Sequence, residues 1–506
     1  MPIENRGAVI SNDMFGRLDI YASYDEITAE NVVSELNTAL PYHVQNLLAE
    51  DFLYWYRRNV QPILGRAKEV RPEILNIVQE NHSDEIVAFK NGYFLTKPAF
   101  YVARDTGSQD KVNKLNEYLY RSGKHAADNA TVDWFHTVGK GVIYVEPDRD
   151  NDPETPVHVY ALDPRSAFVI KSLRPGNKPV AGVNMVVNDG VAKFDVFTNK
   201  LIFHLTGGAT GRMMTTQVNS DFLATAVDVE SVEPNPLGMI PIIEYRYNSV
   251  NMGAFEAVLP LLDEINNIVS NACDGIEQFI QSLAVATNCE FPDGTTANDI
   301  RKAGMIVLKS VGENKAEFKI LSQPLDQTQT KVLIDHLKTE AMRICSMPIL
   351  NENGSVDHTT GSSILASSGW YQADCAARNT EDLFIESNKQ FDRIFIEILR
   401  RRGLLDISLS DFELHIDRGE TINVQAKAQA FQTLLAAGMH PELAAKKSGI
   451  SNDPVADVEK SADYLKMIWG DPEKVDEVET QTNGQGEARV VESDSDNGEN
   501  PTGGDV

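Results

Sequence analysis

The stretch Ala254–Ala284, AFEAVLPLLDEINNIVSNACDGIEQFIQSLA, decides how this chain is read. Val258, Leu262, Ile265, Val269, Ala272, Ile276, Phe279 and Leu283 follow one another at alternating steps of four and three. That spacing draws an apolar stripe down one side of a helix. At ~1.5 Å per residue the helix would reach roughly 45 Å. Its opposite face carries Asp263, Asn267, Ser270, Asn271, Asp274 and Gln278, and is polar and acidic. Pro260 falls in the first two turns, where a missing N–H costs least. A stripe of this length needs a cover. It can lie on the chain's own core, or pack against copies of itself, as in a ring that turns its polar faces toward a lumen or solvent.

C-terminal to this helix, residues 285–324 form a compact insert with turn signals at Pro292-Asp293-Gly294 and Gly312-Glu313-Asn314. A short helix is expected at Ala297–Ala303, and strands at Met305–Leu308 and Glu317–Leu321. A second helix spans about Asp326–Met347, with Ile334, Leu337, Ala341 and Ile344 on one face, and Pro348 ends it. A polar, Gly-bearing segment follows to Gly361. A third long helix runs from Ser362 to Arg402, kinked near Gly369 and closed by Gly403. After a strand at Phe412–Ile416 come helices at Gln425–Ala437, Pro441–Ser448 and Pro454–Trp469.

On the N-terminal side, residues 1–22 read as an arm. Helical periodicity begins at Thr28, and Pro41 is expected to divide it in two. Residues 85–104 are rich in β-formers, with Asn91-Gly92 as a turn candidate. Residues 110–138 look helical. From Gly141 to Tyr247, short β segments separated by Gly, Pro, Asn or Asp favour antiparallel pairing. The fold class is therefore α+β.

The chain has 506 residues, enough for two to four domains, and a formal net charge of −28. Residues 471–506 hold 11 acids and 2 bases, so most of the charge excess lies in the body. This Gly-, Asp-, Glu- and Ser-rich end reads as disordered. A surface of this sign repels phosphate at long range, which argues against a DNA-coating role. No apolar run is long enough for a transmembrane helix. Met1–Asp13 lacks the pattern of a signal peptide, and the four cysteines form no cluster, so a reduced, cytosolic chain is expected.

Little points to catalysis. Gly207-Gly-Ala-Thr-Gly-Arg212 is the best phosphate-loop candidate, but it lacks the Lys-Ser/Thr ending and opens no amphipathic helix, so a β-turn is the plainer reading. His125, His136, His158 and His204 fit no ligand spacing. No Gly-x-Ser-x-Gly elbow is present. No catalytic residue, metal or cofactor is expected. The rivals are a phosphate-handling hydrolase using Gly207–Arg212 and an acidic monomeric scaffold protein.

Three further stretches carry a resemblance. The first runs from Ile63-Leu-Gly-Arg66 through Arg71-Pro-Glu-Ile74 and Asn81 to Glu85-Ile-Val-Ala-Phe-Lys-Asn-Gly-Tyr-Phe-Leu-Thr-Lys-Pro-Ala-Phe-Tyr101. The second is Asn235-Pro-Leu-Gly-Met-Ile-Pro-Ile-Ile-Glu-Tyr-Arg-Tyr-Asn248 and the third Thr360-Gly-Ser-Ser-Ile-Leu-Ala366. With the helix–insert–helix–loop–helix order, they resemble portal proteins of tailed double-stranded DNA bacteriophages over about residues 45–470.

The resemblance implies a ring, typically of twelve copies, at one vertex of the viral head, made in the host cytoplasm and built into the virion. Double-stranded DNA would pass through without sequence recognition, driven in by the terminase large subunit. A head–tail adaptor, the major capsid protein and scaffolding protein would be further partners. Residues 1–250 would be the wing, 251–284 the first stem helix, 285–325 the clip, 326–347 the second stem helix and 348–361 the tunnel loop. Residues 362–420 would be the long wing helix and return strand, and 421–470 the crown. The loop would offer Asn351, Asn353, Gly354, Ser355, His358, Thr359 and Thr360 to DNA. Leu262, Ile265, Val269, Ala272 and Ile276 would pack the stem, and Asp263 and Asp274 would line the lumen. Lys331, Lys338 and Arg343 would either face that lumen or pair with acids of a neighbouring subunit.

Overall fold

The computed structural model describes residues 15–69, 72–150, 152–210, 222–280, 283–287, 289–290, 309–310, 317–321, 327–349, 369–418, 424–451 and 453–469. The chain divides into two compact units, 1–426 and 427–506.

The first unit opens on β1 (Ile20–Tyr21) and α1 (Val32–Arg57). Pro41 does not divide α1. Asn37, whose carbonyl loses its partner at Pro41, lies with it on the exposed side, where water can reach that oxygen. The other side buries Leu36, Leu40 and Leu47 on the sheet below. Next come α2 (His82–Phe94), β2 (Phe100–Ala103), α3 (Gln109–Arg121) and α4 (Lys124–Val138). Asn91-Gly92 is thus inside a helix and not at a turn. Asn81 caps α2 by accepting from the Asp84 N–H, and Asp84 and Glu85 suit the positive helix start. The β-formers Ile86, Val87, Tyr93 and Phe94 are its buried face. Gly123, with φ +82°, separates α3 from α4.

The β region comprises β3 (Lys140–Pro147), β4 (Val157–Leu162), β5 (Ala167–Lys171), β6 (Pro179–Asn188), β7 (Val191–Phe197), β8 (Leu201–Thr210), β9 (Leu223–Pro234) and β10 (Ile242–Arg246). One sheet has the order β1-β5-β6-β7-β8-β9 and a second the order β10-β3-β4. Pairing is antiparallel except for β1 with β5, which is parallel. The 15–22 segment is therefore docked into a sheet and not a free arm.

A 3-10 turn at Glu256–Val258 leads into α5 (Leu259–Ile280). The helix ends before Leu283, which belongs to β11 (Leu283–Thr287). Further short strands are β12 (Cys289–Glu290), β13 (Lys309–Ser310) and β14 (Glu317–Leu321); β11 pairs with β14 and β12 with β13. The helix expected at 297–303 and the strand expected at 305–308 lie outside the described residues. Then come α6 (Gln327–Ile344), α7 (Trp370–Arg401) and β15 (Phe412–His415), which pairs with β2. The core between α5, α6, α2 and the ends of α1 and α4 holds Tyr56, Phe255, Leu262, Ile265 and Ala341.

The second unit holds most of α8 (Val424–Ala436), then α9 (Pro441–Ser448) and α10 (Pro454–Trp469), with Ala444 and Ala445 buried.

Candidate functional site

The long helix α5 is covered in two different ways. The first half of its apolar stripe is sealed inside the chain: Val258 and Ile265 are fully buried and Leu262 nearly so. Burial then fades. Val269 and Ala272 are half-buried, and Ile276 is 43% exposed. The side chain of Phe279 lies outside the described residues. On α6, Ala341 is buried and Ile334 and Leu337 pack partly against the same core, but Ile344 is exposed; Cys345, just after the helix, is buried.

The second cover was not foreseen. Residues 74–80 run extended along the polar side of α5 as a strap. The Asn76 N–H donates to Asp274 Oδ1 at 2.7 Å, the Val78 N–H to Ser270 Oγ at 3.0 Å, and the Glu80 N–H to Asn266 Oδ1 at 2.8 Å. Each advance of two strap residues matches a retreat of four helix residues. Two extended residues span ~6.6 Å and four helical residues ~6 Å, so the bonds stay in step. Asn266, Ser270 and Asp274 are consequently buried. Their i, i+4, i+8 spacing, which sets three short polar side chains in one row on the helix, is the signal that could have revealed the strap.

The two acids expected at the lumen both have partners within the chain. Asp274 accepts from Arg66 at 2.8 Å and Lys68 at 3.2 Å as well as from Asn76. Burial opposes its charge, but those donors prevail and hold the carboxyl at about 2. Arg66 also donates to Asn271 at 2.6 Å. Asp263 accepts from the Tyr56 hydroxyl at 2.8 Å, and burial pushes its carboxyl up to about 6 despite that bond. Both carboxylates are engaged within their own chain. Lys338 pairs with Glu80 of the strap at 2.6 Å, and Arg343 with Glu340 on its own helix. Lys331 is exposed.

The start of α5 is anchored by a buried ion pair. Arg17 donates to Glu256, whose carboxylate also accepts the Gly16 N–H at 2.9 Å and the Gly253 N–H at 2.7 Å. The residue that precedes α7, Gly369, lies close to the backbone just after α6. A Cβ on Gly369 would stand 3.4 Å from the Met347 carbonyl oxygen. Trp370 packs against Phe89 and Tyr93, with ring centroids 5.9 Å apart in each case. Asn351, Asn353, Gly354, Ser355, His358, Thr359 and Thr360 lie outside the described residues, as does 471–506.

The candidate phosphate loop is a ladder. Gly207 pairs with Ala226 and Gly208 with Thr225, between β8 and β9. A Cβ on Gly207 would come within 1.7 Å of the Thr225 carbonyl oxygen. Glycine is required there for backbone approach, and its amide is not presented to a ligand. Gly211 and Arg212 lie outside the described residues. His158 pairs with Asp148 at 3.1 Å and His204 with Asp195 at 2.6 Å. Among the described residues no cluster of His, Cys, Asp and Glu could hold a metal ion.

Residues 48–469 match the family model described as phage portal protein, SPP1 Gp6-like. No curated protein matches the chain. Among solved structures, a chain from the neck of a native GTA particle computed with C12 symmetry is 13% identical, with a TM-score of 0.40. The match covers 73% of this chain and 89% of that one. A chain from the neck of an empty GTA particle computed with C6 symmetry is 12% identical, with a TM-score of 0.39 and coverage of 73% and 88%.

Proposed function

The chain belongs to the phage portal protein family, SPP1 Gp6-like, and from that premise we propose that α5 and α6 form the wall of its channel and that residues 348–361 touch the DNA. The family is a structural one. The protein is a portal: a homo-oligomeric ring at the capsid vertex that serves as the DNA channel and carries the connector. The observation that carries this conclusion is the family match over 48–469.

The finer assignments are our reading. We assign 1–250 and 362–420 to the wing, 251–284 and 326–347 to the stem, 285–325 to the clip and 421–470 to the crown. The break in character at both ends of α5, from sheet to long helix and from helix to short strands, supports these limits. Twelve copies, docking of terminase and then of an adaptor on the clip, contact with capsid and scaffolding proteins, and synthesis in the host cytoplasm are parts of the same proposal. Terminase would supply the energy. The uncovered half of the stripe, at Ile276, together with Val332 and Leu333 of α6, 64% and 46% exposed, supports contacts between subunits along the stem. Lys331 remains the candidate for a lumenal charge.

Electron microscopy of the purified full chain, with particle mass measured on the same sample, tests the ring. Rings with a central hole and a mass near twelve chains are expected. A uniform monomer or dimer, persisting when capsid and scaffolding proteins are added, would overturn the reading. For the loop, deletion of 351–361 should leave rings intact and impair DNA packaging. Loss of folding would make it a structural element instead.

A further inference from the structure

Three asparagines, each on a helix, make the same pair of bonds. Asn37 of α1 accepts the Ala226 N–H at 2.9 Å and donates to the Ala226 carbonyl at 2.8 Å. Asn46 of α1 does the same to Leu18, at 2.8 and 2.9 Å. Asn116 of α3 does it to Tyr101, at 2.9 and 2.8 Å. In each case one side-chain amide takes both backbone groups of a single residue. A facing residue does the same in the hydrogen-bonded pair of an antiparallel ladder.

The three backbone residues share a place in the fold. Ala226 lies in β9 and Leu18 just before β1, and these are the two outer strands of the six-stranded sheet. Tyr101 lies in β2, whose strand partner among the described residues is β15. Each clasp therefore falls at the end of a sheet. An outer strand with free N–H and C=O groups is a template on which another chain can add a strand.

Burial does not account for all three clasps. Asn46 is buried, and there the peptide groups of Leu18 need a partner. Asn37 is exposed, as are Thr225 and Val227 on either side of Ala226. Water could serve the Ala226 groups at such a site, so their satisfaction does not require a side chain. Asn37 instead keeps them occupied. Beyond Ala226 the same edge is blunted by other means. The register of β9 against β8 shifts between Thr206 and Gly207 and again between His204 and Leu205. Asp228, Glu230 and Glu233 are exposed along it. Register breaks and charges on an outer strand also discourage pairing.

We propose that Asn37 guards the β9 edge, closing it to strand addition by a second copy of this chain. The proposal rests on the ring reading, which sets identical sheets side by side at high local concentration. With the edge closed, copies meet at this sheet through side chains, and growth stops at the ring instead of continuing through shared strands.

The test compares the full-length wild type with Asn37→Ala and with Thr38→Ala, a control at the next exposed position of α1. All three should melt cooperatively. Amide exchange at Ala226 should be about tenfold faster in Asn37→Ala and unchanged in Thr38→Ala. Asn37→Ala alone should form particles heavier than those of the wild type, with the infrared band of intermolecular β-sheet. Asn37→Ala particles of wild-type mass without that band overturn the guard, as does equal growth in Thr38→Ala. Wild-type particles too small for a ring count against the ring reading and leave this comparison intact. If Asn37→Ala does not melt cooperatively, Asn37→Ser, too short to reach both groups, takes its place. Loss of folding in both variants would make Asn37 a structural residue and overturn the proposal.

Discussion

The backbone N–H of Asn76 donates to the Asp274 carboxylate at 2.7 Å, tying an extended strap to the polar side of the longest stem element across 198 residues of sequence. Asp274 is therefore a structural acid. Removing it strands Arg66, Lys68 and the Asn76 amide together. Asp274→Ala should cost about 2–3 kcal/mol in urea unfolding and lower the hydrogen-exchange protection of the 76, 78 and 80 amides. Because its folded pKa lies at about 2, below the unfolded value, its contribution is complete above about pH 4 and fades as pH falls toward 2.

Asp263 has the opposite sign. Its folded pKa of about 6 is above the unfolded value, so the folded state holds the proton more tightly. Stability should fall as pH rises from about 4 through 6. Asp263→Asn keeps an acceptor for Tyr56 and removes the charge. It should raise stability at pH 7 by about 1 kcal/mol and flatten that part of the pH profile.

Ile265 and Ile276 share one stripe but separate folding from assembly. Ile265 is fully buried in the chain's own core, so Ile265→Asp should abolish folding, seen as loss of the cooperative melt by circular dichroism. Ile276→Asp, at an exposed position, should fold normally and shift the particle mass away from closed rings. Intact rings from Ile276→Asp would remove that residue from the subunit contact.

The adjacent glycines of β8 make an internally controlled pair. Gly207→Ala forces a methyl onto the Thr225 carbonyl and should cost about 3 kcal/mol or more. Gly208→Ala meets only Thr225 Oγ1, at 3.9 Å, and should stay within about 1 kcal/mol of wild type. Thermal melts of the two variants check both.

Glu256→Gln removes the charge of the carboxylate that Arg17 meets in a buried site. A loss of about 3 kcal/mol is expected, read from the melting of the full chain.

Much of this architecture was legible in the sequence. The stripe from Val258 to Ile276 and the run of short strands announce themselves, because side-chain periodicity directly reports which face is buried. Asn91-Gly92 misled because β-formers also make good apolar helix faces, and the Asn81 cap with Asp84 and Glu85 was the better clue. The strap escaped because most of its bonds are made by backbone amides, so the only mark was on the helix, in the polar row Asn266, Ser270 and Asp274. The partners of Asp274 were hidden in the same way: a carboxylate taken up by a distant amide looks, in sequence, like any exposed acid. The docking of Ile20–Tyr21 rests on one parallel pairing of two residues, too short for any periodic signal.

The match between strap and helix works as a vernier, two divisions of one scale to four of the other. A single residue inserted between Asn76 and Glu80 would turn the amides beyond it away from Ser270 and Asn266 or Asp274, whereas a pair inserted together with four residues in the helix would restore the alignment. Length change in this part of the stem is quantised, and related chains of different stem length should differ here by such coupled steps.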